Sequence, residues 1–361
     1  MVAAPDRAAT TLPAMNDDPP RPAPRATPTM ADVAARAGVS PMTVSRALRQ
    51  GGPVAAPTRA RILAAVDALG YVLDRGAGTL ASRRSGFVAV LIPSVNNSNF
   101  SDTARGITDA LAGSELDLLL AYTDYRVEKE ERLLDSLLTR RPEGIILTGG
   151  NHTARARARL AAAAIPVIET WDLPVQPIGH VVGFSNAAAA HALVHHLYGR
   201  GYRRIGFIGG TTNRDTRGAD RRRGYHRAVT ELGLPRGLVL CFGQPPISMD
   251  QGAEAIVRLL ARSPEVDAAV CVSDLSAFGA LMECHRRGWA VPGRIAIAGF
   301  GDFEVSRFSH PRITTVSVDA ETIGRRAGEL LLRAIAARRA GRFLSPERIL
   351  TPVTVLARES S

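Results

Sequence analysis

The pattern of hydrophobic and polar positions changes near residue 86 and divides the chain into two regions. In the first region, apolar residues recur at spacings of three and four, which is typical of amphipathic helices. In the second, short apolar runs alternate with helix-length segments. This alternation predicts βαβ units and doubly wound parallel sheets, in two halves at about 86–185 and 186–312. The runs expected to form strands are FVAVLIP, DLLLAYT, GIILTG, IPVIET, RIGFIGG, AAVCVS and IAIAGF.

Two short helices joined by a tight turn are predicted at the start of the first region. Thr29 is placed to cap the first helix, and Asp32, three residues later, gives a capping-box-like pair. Gly38 ends that helix because its backbone adopts left-handed conformations without steric cost. Ser40 then caps the second helix, and Pro41 occupies its first position, where a missing N–H costs nothing. The pattern is that of a helix-turn-helix.

A third helix is expected from about Thr58 to Leu69, ending at Gly70. Ala55, close to its start, has no side chain that could cap it. By helical spacing its inward positions are Ile62, Leu63, Val66 and Leu69, and those of the first two helices are Val33, Ala34, Ala37, Val44, Ala47 and Leu48.

Composition narrows the class of protein. With 361 residues, 45% of them hydrophobic, the chain can form two or three domains with their own cores. Its apolar stretches are shorter than the roughly 20 residues of a membrane helix. Residues 1–26 mix Pro, Ala and both charges without an apolar core, which indicates a disordered tail and not a secretory signal. A net charge of +11 is compatible with a polyanionic partner.

Cysteine and histidine spacing gives little support to a metal or cofactor. Cys241, Cys271 and Cys284 lie far apart, and we expect buried thiols in a reducing cytoplasm. His191, His195 and His196 have helical spacings compatible with a metal site. The alternative that we favour is that these histidines straddle the core and solvent sides of one helix. The sequence therefore predicts no cofactor and no metal.

The first region resembles the head of the LacI/GalR family of bacterial regulators. That head reads D-V-A-x-x-A-G-V-S-x-x-T-V-S-R-x-L, followed by a helix that ends L-G-Y. The matching residues are Asp32, Val33, Ala34, Ala37, Gly38, Val39, Ser40, Thr43, Val44, Ser45, Arg46, Leu48, Leu69, Gly70 and Tyr71.

The resemblance implies that the second helix enters the major groove of operator DNA. Arg46 then pairs with a guanine, and Met42 contacts a thymine methyl group. Thr43 and Ser45 have hydroxyls for phosphates, although Thr43 could equally cap its own helix. The full set of predicted DNA contacts is Thr29, Ser40, Pro41, Met42, Thr43, Ser45, Arg46, Arg49, Ala77 and Leu80.

Residues 74–85 correspond to the family's hinge, which folds on DNA and wedges a leucine into the minor groove. Here Leu80 is the candidate wedge. Gly76 and Gly78 each lower helix propensity by roughly 1 kcal/mol relative to alanine, so we expect the free hinge to be disordered. A plain linker is the alternative.

The second region has the layout of the family's periplasmic-binding-protein-like core of two doubly wound subdomains. The resemblance implies that the chain, with a head at 27–73 and a core at 86–361, returns to subdomain one near Ser317 and to subdomain two near Phe343. Subdomain one is then about 86–185 and 317–342, and subdomain two about 186–312 and 343–357. Such crossings make a hinge with a ligand in the cleft.

Ligands in open α/β sheets bind beyond the carboxyl ends of the strands, so the strand-to-helix loops supply the candidate effector contacts. Any one of these residues could instead only cap the helix that follows. Arg217 stands out because it precedes R-x-G-Y, where the family places an effector-binding arginine. Its guanidinium suits a carboxylate or vicinal hydroxyls. The predicted set is Ser94, Phe100, Tyr122, Asn151, Trp171, Asp172, Arg217, Ser273, Asp274 and Phe300.

Further segments resemble gluconate repressors within the family, among them LIPSVNNSNF, EKEERLLDSLL, IPVIETWD and DRRRGY. This likeness implies a sugar acid such as gluconate as effector, with Arg217 holding its carboxylate. Two departures concern neutral sugars. Ser273 replaces the family's Asn, and Gly301 stands where many members have Asp. Both remove polar contacts typical of neutral-sugar binders.

The function indicated is a cytoplasmic, nucleoid-associated, ligand-responsive repressor that binds operator DNA as a homodimer and is released by a sugar or sugar-acid effector. Activation through promoter geometry stays open. A secreted or periplasmic binding protein and a sugar-acid enzyme are the alternatives. The sequence lacks G-x-x-x-x-G-K-[ST], G-x-S-x-G and H-E-x-x-H, which disfavours the enzyme.

Overall fold

A computed structural model describes residues 27–48, 52–72, 85–211 and 214–361. The chain divides into two compact units, Met1–Ser82 and Arg83–Ser361. The predicted tail at 1–26 and all but the last residue of the predicted hinge at 74–85 lie outside the described residues. Among the helices that the structure describes, none is long and apolar enough to cross a membrane.

The first unit contains α1 (Met30–Ala37), α2 (Pro41–Leu48) and α3 (Ala56–Leu69). Val33, Val44 and Ile62 are fully buried where the three helices meet. Leu63, expected to face inward, is instead 45% exposed. It lies about 100° around the helix from Ile62, and so small a domain has a core on only one side of α3.

The helix boundaries of the first unit follow local chemistry. Thr29 and Asp32 form a reciprocal capping box at α1, and Gly38 ends the helix with φ 65°. Ala55 provides no side-chain cap for α3. The end of α2 is fixed from outside, because Arg59 of α3 donates hydrogen bonds to the carbonyls of Ala47 and Gly52. The predicted ends of these helices are confirmed, except that α3 begins at Ala56, two residues before the expected start. The Arg59 contact is additional.

The second unit has two α/β lobes. The elements of the first part, in chain order, are β1 (Phe87–Ile92), α4 (Ser98–Leu111), β2 (Asp117–Tyr122), α5 (Val127–Thr139), β3 (Ile145–Thr148), α6 (Ala154–Ala163), β4 (Val167–Thr170) and β5 (His180–Gly183). The elements of the second part are α7 (Asn186–Gly199), β6 (Ile205–Gly209), α8 (Thr216–Glu231), β7 (Val239–Cys241), α9 (Met249–Arg262), β8 (Ala268–Cys271), α10 (Asp274–Arg286), β9 (Ala296–Ala298) and α11 (Glu304–Phe308). The last part contains β10 (Thr315–Ser317), α12 (Ala320–Arg339), β11 (Arg348–Leu350) and β12 (Thr354–Leu356).

Each lobe is built on a parallel sheet. The first-lobe sheet has the order β11-β5-β4-β3-β1-β2, and the second-lobe sheet has the order β7-β6-β8-β9. The strands β10 and β12 form a separate antiparallel ribbon. The predicted α/β class and parallel pairing are confirmed. The short strands β5 and β7 were not among the predicted runs.

The chain crosses between the lobes three times, and the last crossing comes later than expected. From β10 it enters α12, where Gly324 packs against the backbone of Thr103 in α4. The prediction that subdomain two resumes near Phe343 is wrong. Arg348–Leu350 pairs in parallel with Val181–Gly183, so the chain leaves the first lobe only after β11. It then continues in the second lobe to its end, where the Ile297 N–H donates to the Ser360 carbonyl.

Candidate functional site

The exposed face of α2 carries the predicted base-contacting side chains. Pro41 and Met42 lie in its first turn, and Met42 is 63% exposed. Arg46 is one turn further along and is also exposed. Since residues four apart share a helix face, Met42 and Arg46 project together. The side chain of Ser45 is half-buried.

Three of the predicted DNA contacts also hold the helix ends. Ser40 Oγ accepts from the Thr43 N–H at 3.2 Å, and the two hydroxyl oxygens lie 2.9 Å apart. Thr29 Oγ1 donates to Asp32 Oδ2 at 2.7 Å. The capping role of Ser40 is therefore confirmed. The other predicted contacts, Arg49, Ala77 and Leu80, lie outside the described residues.

A cavity of about 310 Å³ lies between the two lobes of the second unit. Ser94, Phe100 and Trp171 line it from the first lobe, and Arg217, Ser273 and Phe300 line it from the second. Its volume is at the small end of the range for ligand sites and suits a molecule of monosaccharide size. Six of the ten predicted effector contacts therefore meet in one cavity.

Arg217 presents a buried hydrogen-bond donor to this cavity. The residue is 5% exposed, and its Nη1 atom has no hydrogen-bond partner among the described residues. The nearest acid is Asp215, whose Oδ1 lies 3.6 Å from Arg217 Nε. A buried guanidinium with an unused N–H is costly unless a ligand satisfies it.

Arg221, one turn along α8, is held by the protein itself. Its Nε donates to Asn186 Oδ1 at 3.0 Å, and its Nη1 donates to the carbonyl of Val272 at 2.7 Å. Its guanidinium lies 3.7 Å from the centre of the Phe300 ring. Burial lowers the Arg221 pKa to about 10, so the group stays charged at neutral pH. Arg221 therefore supplies fixed positive charge, whereas Arg217 supplies a free donor.

Aromatic rings form the first-lobe side of the cavity. Phe100 meets Trp171 edge to face, with centroids 5.3 Å apart, and Trp171 Nε1 donates to Thr103 Oγ1 at 3.1 Å. Tyr125 enters the cavity from a turn in which its φ is 55°. Burial and then the charge of Asp215 raise the Tyr125 pKa to about 12, so its hydroxyl is neutral. Rigid apolar faces and neutral polar groups thus surround the arginines.

The charge of the cavity wall is positive. Its ionisable lining consists of Arg217, Arg221 and Arg222 against Asp215, with the neutral tyrosine. The remaining polar lining includes Asn96, Asn97, Asn99, Ser94, Ser248 and Ser273. An anion with several hydroxyl groups matches this wall, because each type of group finds a partner.

Four predicted effector contacts lie elsewhere. Tyr122 ends β2 at the surface, 48% exposed, and Lys129 Nζ lies 3.6 Å from its ring centre. Asn151 lines a smaller neighbouring cavity that shares Tyr125, Asp215 and Arg217 with the main one. Asp172 lines an open depression at the surface, and its Oδ1 accepts from the Leu173 N–H.

Asp274, which was predicted to contact the effector, lies furthest from that prediction. It is fully buried and does not line the cavity. Its carboxylate accepts from the Phe303 N–H at 2.7 Å and from Thr315 Oγ1 at 2.6 Å. Because both oxygens are hydrogen-bonded within the protein and the side chain does not reach the cavity, Asp274 fixes the loop after β9 and is not placed to contact a ligand.

Gly301 explains the departure from the family's aspartate at that position. It lines the cavity with φ 124°, a conformation that favours glycine. A methyl group there would lie 2.3 Å from the Phe303 ring and 2.9 Å from Asn99 Nδ2. Its carbonyl accepts from Asn99 at 2.8 Å, a bond that joins the two lobes. The space that an acidic side chain would need is occupied by Phe303.

A buried histidine fixes the loop beside the smaller cavity. His152 Nδ1 lies 2.6 Å from Glu130 Oε1, and its Nε2 lies 3.5 Å from Glu169 Oε1. Burial alone would lower the His152 pKa, but the two carboxylates outweigh it and raise that pKa to about 9. The protonated imidazole thus joins α5 to β4 and holds neighbouring Asn151 in place.

The sequence analysis did not single out Tyr125, Asn96 or Asn97 as effector contacts, and it gave Arg221 and Arg222 only as part of the DRRRGY segment. The DRRRGY segment contains the arginine signal. Arg217 and Arg221 are four residues apart on α8 and therefore lie on one face of the helix, whereas Arg223 is exposed and pairs with Asp220. No comparable signal marks Tyr125, because its inward direction depends on the turn.

Comparison with known families agrees with both units. Residues 29–74 match the family described as bacterial regulatory proteins, lacI family. Residues 194–361 match the periplasmic binding protein-like domain.

Individual relatives cover nearly the whole chain. The HTH-type transcriptional regulator GntR of Pseudomonas aeruginosa is 38% identical over 334 residues, 92% of this chain and 96% of the relative. The crystal structure of a LacI family transcriptional regulator from Silicibacter pomeroyi is 36% identical, with a TM-score of 0.85 over 92% of this chain and 98% of its own. The lac repressor dimer, bound to operator and the anti-inducer ONPF, is 25% identical, with a TM-score of 0.77 over 92% of this chain and 98% of its own.

Proposed function

We propose, from the premise that this chain belongs to the LacI family of bacterial regulatory proteins, that its interlobe cavity binds a sugar acid such as gluconate. Like its relatives, the chain is a DNA-binding transcription regulator and not an enzyme. The choice of a sugar acid, the residues that hold it and the dimeric state are our proposals.

The observation that most favours a sugar acid as ligand is the buried Nη1 of Arg217, which has no hydrogen-bond partner among the described residues and belongs to a positively charged wall. A carboxylate placed there gains charge-assisted hydrogen bonds in a site of low dielectric constant. A neutral sugar would leave the positive charge unbalanced. The aromatic faces of Phe100 and Trp171 suit the C–H edges of a carbon chain, and the asparagines suit its hydroxyls.

Thermal stability of the purified full-length protein tests this choice. A ligand at about one hundred times its Kd adds about 2.7 kcal/mol to the free energy of unfolding. We expect gluconate and related sugar acids to raise the melting temperature, and glucose and purines to leave it unchanged. Equal stabilisation by glucose would exclude the carboxylate as the recognised group.

The effector acts, in this proposal, by holding the lobes together. Phe100 and Trp171 belong to the first lobe, and Arg217 and Phe300 to the second, so one ligand contacts both. A ligand that contacts both lobes favours the closed arrangement over more open ones. Closure then lowers operator affinity through the hinge, with Leu80 as the proposed minor-groove wedge. Without the effector, the open protein stays on the operator and represses transcription, and we place this repression in the cytoplasm, on the nucleoid.

Operator reading is proposed for the exposed face of α2. Arg46 pairs with a guanine and Met42 contacts a thymine methyl group, with Pro41 beside them. Ser40, Thr43, Ser45, Thr29 and Arg49 contact the phosphate backbone, which fixes the register without reading sequence.

A homodimer through the edge of the first-lobe sheet completes the proposal. The edge strand β2 exposes Leu119 and Leu120, 36% and 42%, on its two sides, and Tyr122 at its end. Exposed apolar residues on an edge strand indicate an interface, because such an edge otherwise promotes aggregation.

We expect Leu120→Asp to convert the dimer to a monomer, measured by light scattering on a sizing column. A buried carboxylate in an apolar interface costs several kcal/mol. A loss of that size raises the Kd of the dimer so far that the subunits should dissociate at micromolar concentration. The matched control is Val175→Asp, at a loop residue that is 94% exposed. A Leu120→Asp variant that elutes with the mass of two chains would place the interface elsewhere.

A further inference from the structure

Two histidines and a glutamate converge on the second lobe, and none of the three lines the cavity. His191 and His195 stand one turn apart on α7, and Glu231 is the last residue of α8. Glu231 Oε2 lies 2.5 Å from His191 Nε2 and 3.7 Å from His195 Nε2. One donor atom from each residue lies within 4.8 Å of the others.

The backbones that carry these side chains are held close together. At one end of the contact between α7 and α8, Asn186 of α7 accepts a hydrogen bond from Arg221 of α8. A turn further on, Gly224 packs so closely that a methyl group there would lie 2.0 Å from the Ala187 carbonyl oxygen. The His191–Glu231 pair continues the same contact. The three donors therefore come from two helices in fixed register, and not from mobile loops.

We propose that His191, His195 and Glu231 form a binding site for a divalent transition-metal ion, with zinc as the best-suited ion. Two imidazoles and one carboxylate are typical protein ligands of zinc, and a water molecule completes a tetrahedral site. Mg²⁺ and Ca²⁺ are disfavoured because they take oxygen ligands.

The geometry needs only small side-chain adjustments. Donor atoms around a tetrahedral zinc ion lie about 3.4 Å apart, given metal–ligand bonds near 2.1 Å. The 2.5 Å and 3.7 Å separations fall on either side of that value. The zinc ion replaces the proton that His191 shares with Glu231. Arg227 binds the other carboxylate oxygen, Oε1, at 2.9 Å and so leaves Oε2 for the metal.

The position of the site gives the ion a structural effect. The helix α8 begins with the cavity residues Arg217 and Arg221 and ends at Glu231. A bound ion ties that end to α7 and stabilises the helix pair that forms one wall of the second lobe. Metal binding that requires the folded arrangement raises the stability of the fold.

Zinc titration into tag-free, chelator-treated full-length protein tests the proposal by calorimetry. We expect one zinc ion per chain, together with a higher melting temperature in the presence of zinc. His191→Ala and His195→Ala should each weaken zinc binding by at least about tenfold. Removing a metal ligand costs no less affinity than removing a residue that hydrogen-bonds to a ligand, and that loss is typically about tenfold or more. Glu231→Gln should do the same, which separates this site from a simple histidine pair.

The matched control is His285→Ala, which removes an exposed histidine from α10. It should bind zinc as the wild type does. Far-UV circular dichroism and the zinc-free melting temperature show that each variant is folded. Absence of binding at about 0.1 mM zinc, or wild-type binding by His191→Ala or Glu231→Gln, would overturn the proposal.

Discussion

Arg217→Ala is expected to abolish the response to the effector while leaving operator binding intact. The guanidinium is buried in the cavity wall, and its Nη1 has no partner among the described residues. Removing one member of a buried, hydrogen-bonded charge pair costs about 2–5 kcal/mol. Gluconate binding should therefore weaken at least about 30-fold, measured by calorimetry.

The control for this variant lies on the same helix. Arg223 is exposed and pairs with Asp220, so Arg223→Ala should bind gluconate with the wild-type Kd. Arg217→Lys should recover only part of the affinity, because an ammonium group keeps the charge but not the planar fork. A wild-type effector response in Arg217→Ala would show that the carboxylate is held elsewhere.

Arg46→Ala is expected to reduce selectivity for the operator strongly. The side chain is exposed on the same face of α2 as Met42. A bidentate arginine–guanine contact is worth about 1–3 kcal/mol of discrimination at each half-site. Measured by fluorescence anisotropy, the ratio of operator to random-sequence affinity should fall by about 5- to 150-fold per half-site, while effector binding stays unchanged.

The control for operator reading is Arg61→Ala, which removes an exposed arginine from α3. This substitution removes one positive charge, as Arg46→Ala does, but Arg61 belongs to α3 and not to the exposed face of α2. Its loss of affinity should be similar on operator and random DNA, because a charge away from base edges acts on phosphates alone. If Arg46→Ala behaved in the same way, α2 would not read bases through this residue.

Local signals were sufficient for the helix ends of the first unit, although not for the direction of Leu63. The Thr29–Asp32 box, Gly38 and the uncapped Ala55 each depend on neighbours within four residues. The alternating runs likewise predicted the parallel sheets, whose central strands are buried on both faces. The strand β5 was missed, although β3 and β4 are no longer than it is. The exposure of β2 was not foreseen, since an apolar run does not reveal whether its strand lies at a sheet edge.

The cavity could be predicted only in part, because side-chain direction depends on tertiary contacts. Tyr122 and Tyr125 are three residues apart, yet one ends an exposed edge strand and the other turns inward at positive φ. Asp274 matches its family motif, but Phe303 and Thr315 use its oxygens. The glutamate beside His191 could not be foreseen either, because it lies 40 residues along the chain.

In the proposed mechanism, a sugar acid in the interlobe cavity releases this regulator from operator DNA. The direct measurement is fluorescence anisotropy of a labelled operator, selected by the full-length protein from random-sequence DNA, with and without gluconate. Coupling between two sites of one protein is typically worth about 1–3 kcal/mol, or about 5- to 150-fold in affinity. We expect saturating gluconate to weaken operator binding at least about tenfold and glucose to leave it unchanged. Operator affinity unaffected by gluconate, or weakened equally by glucose, would contradict the account.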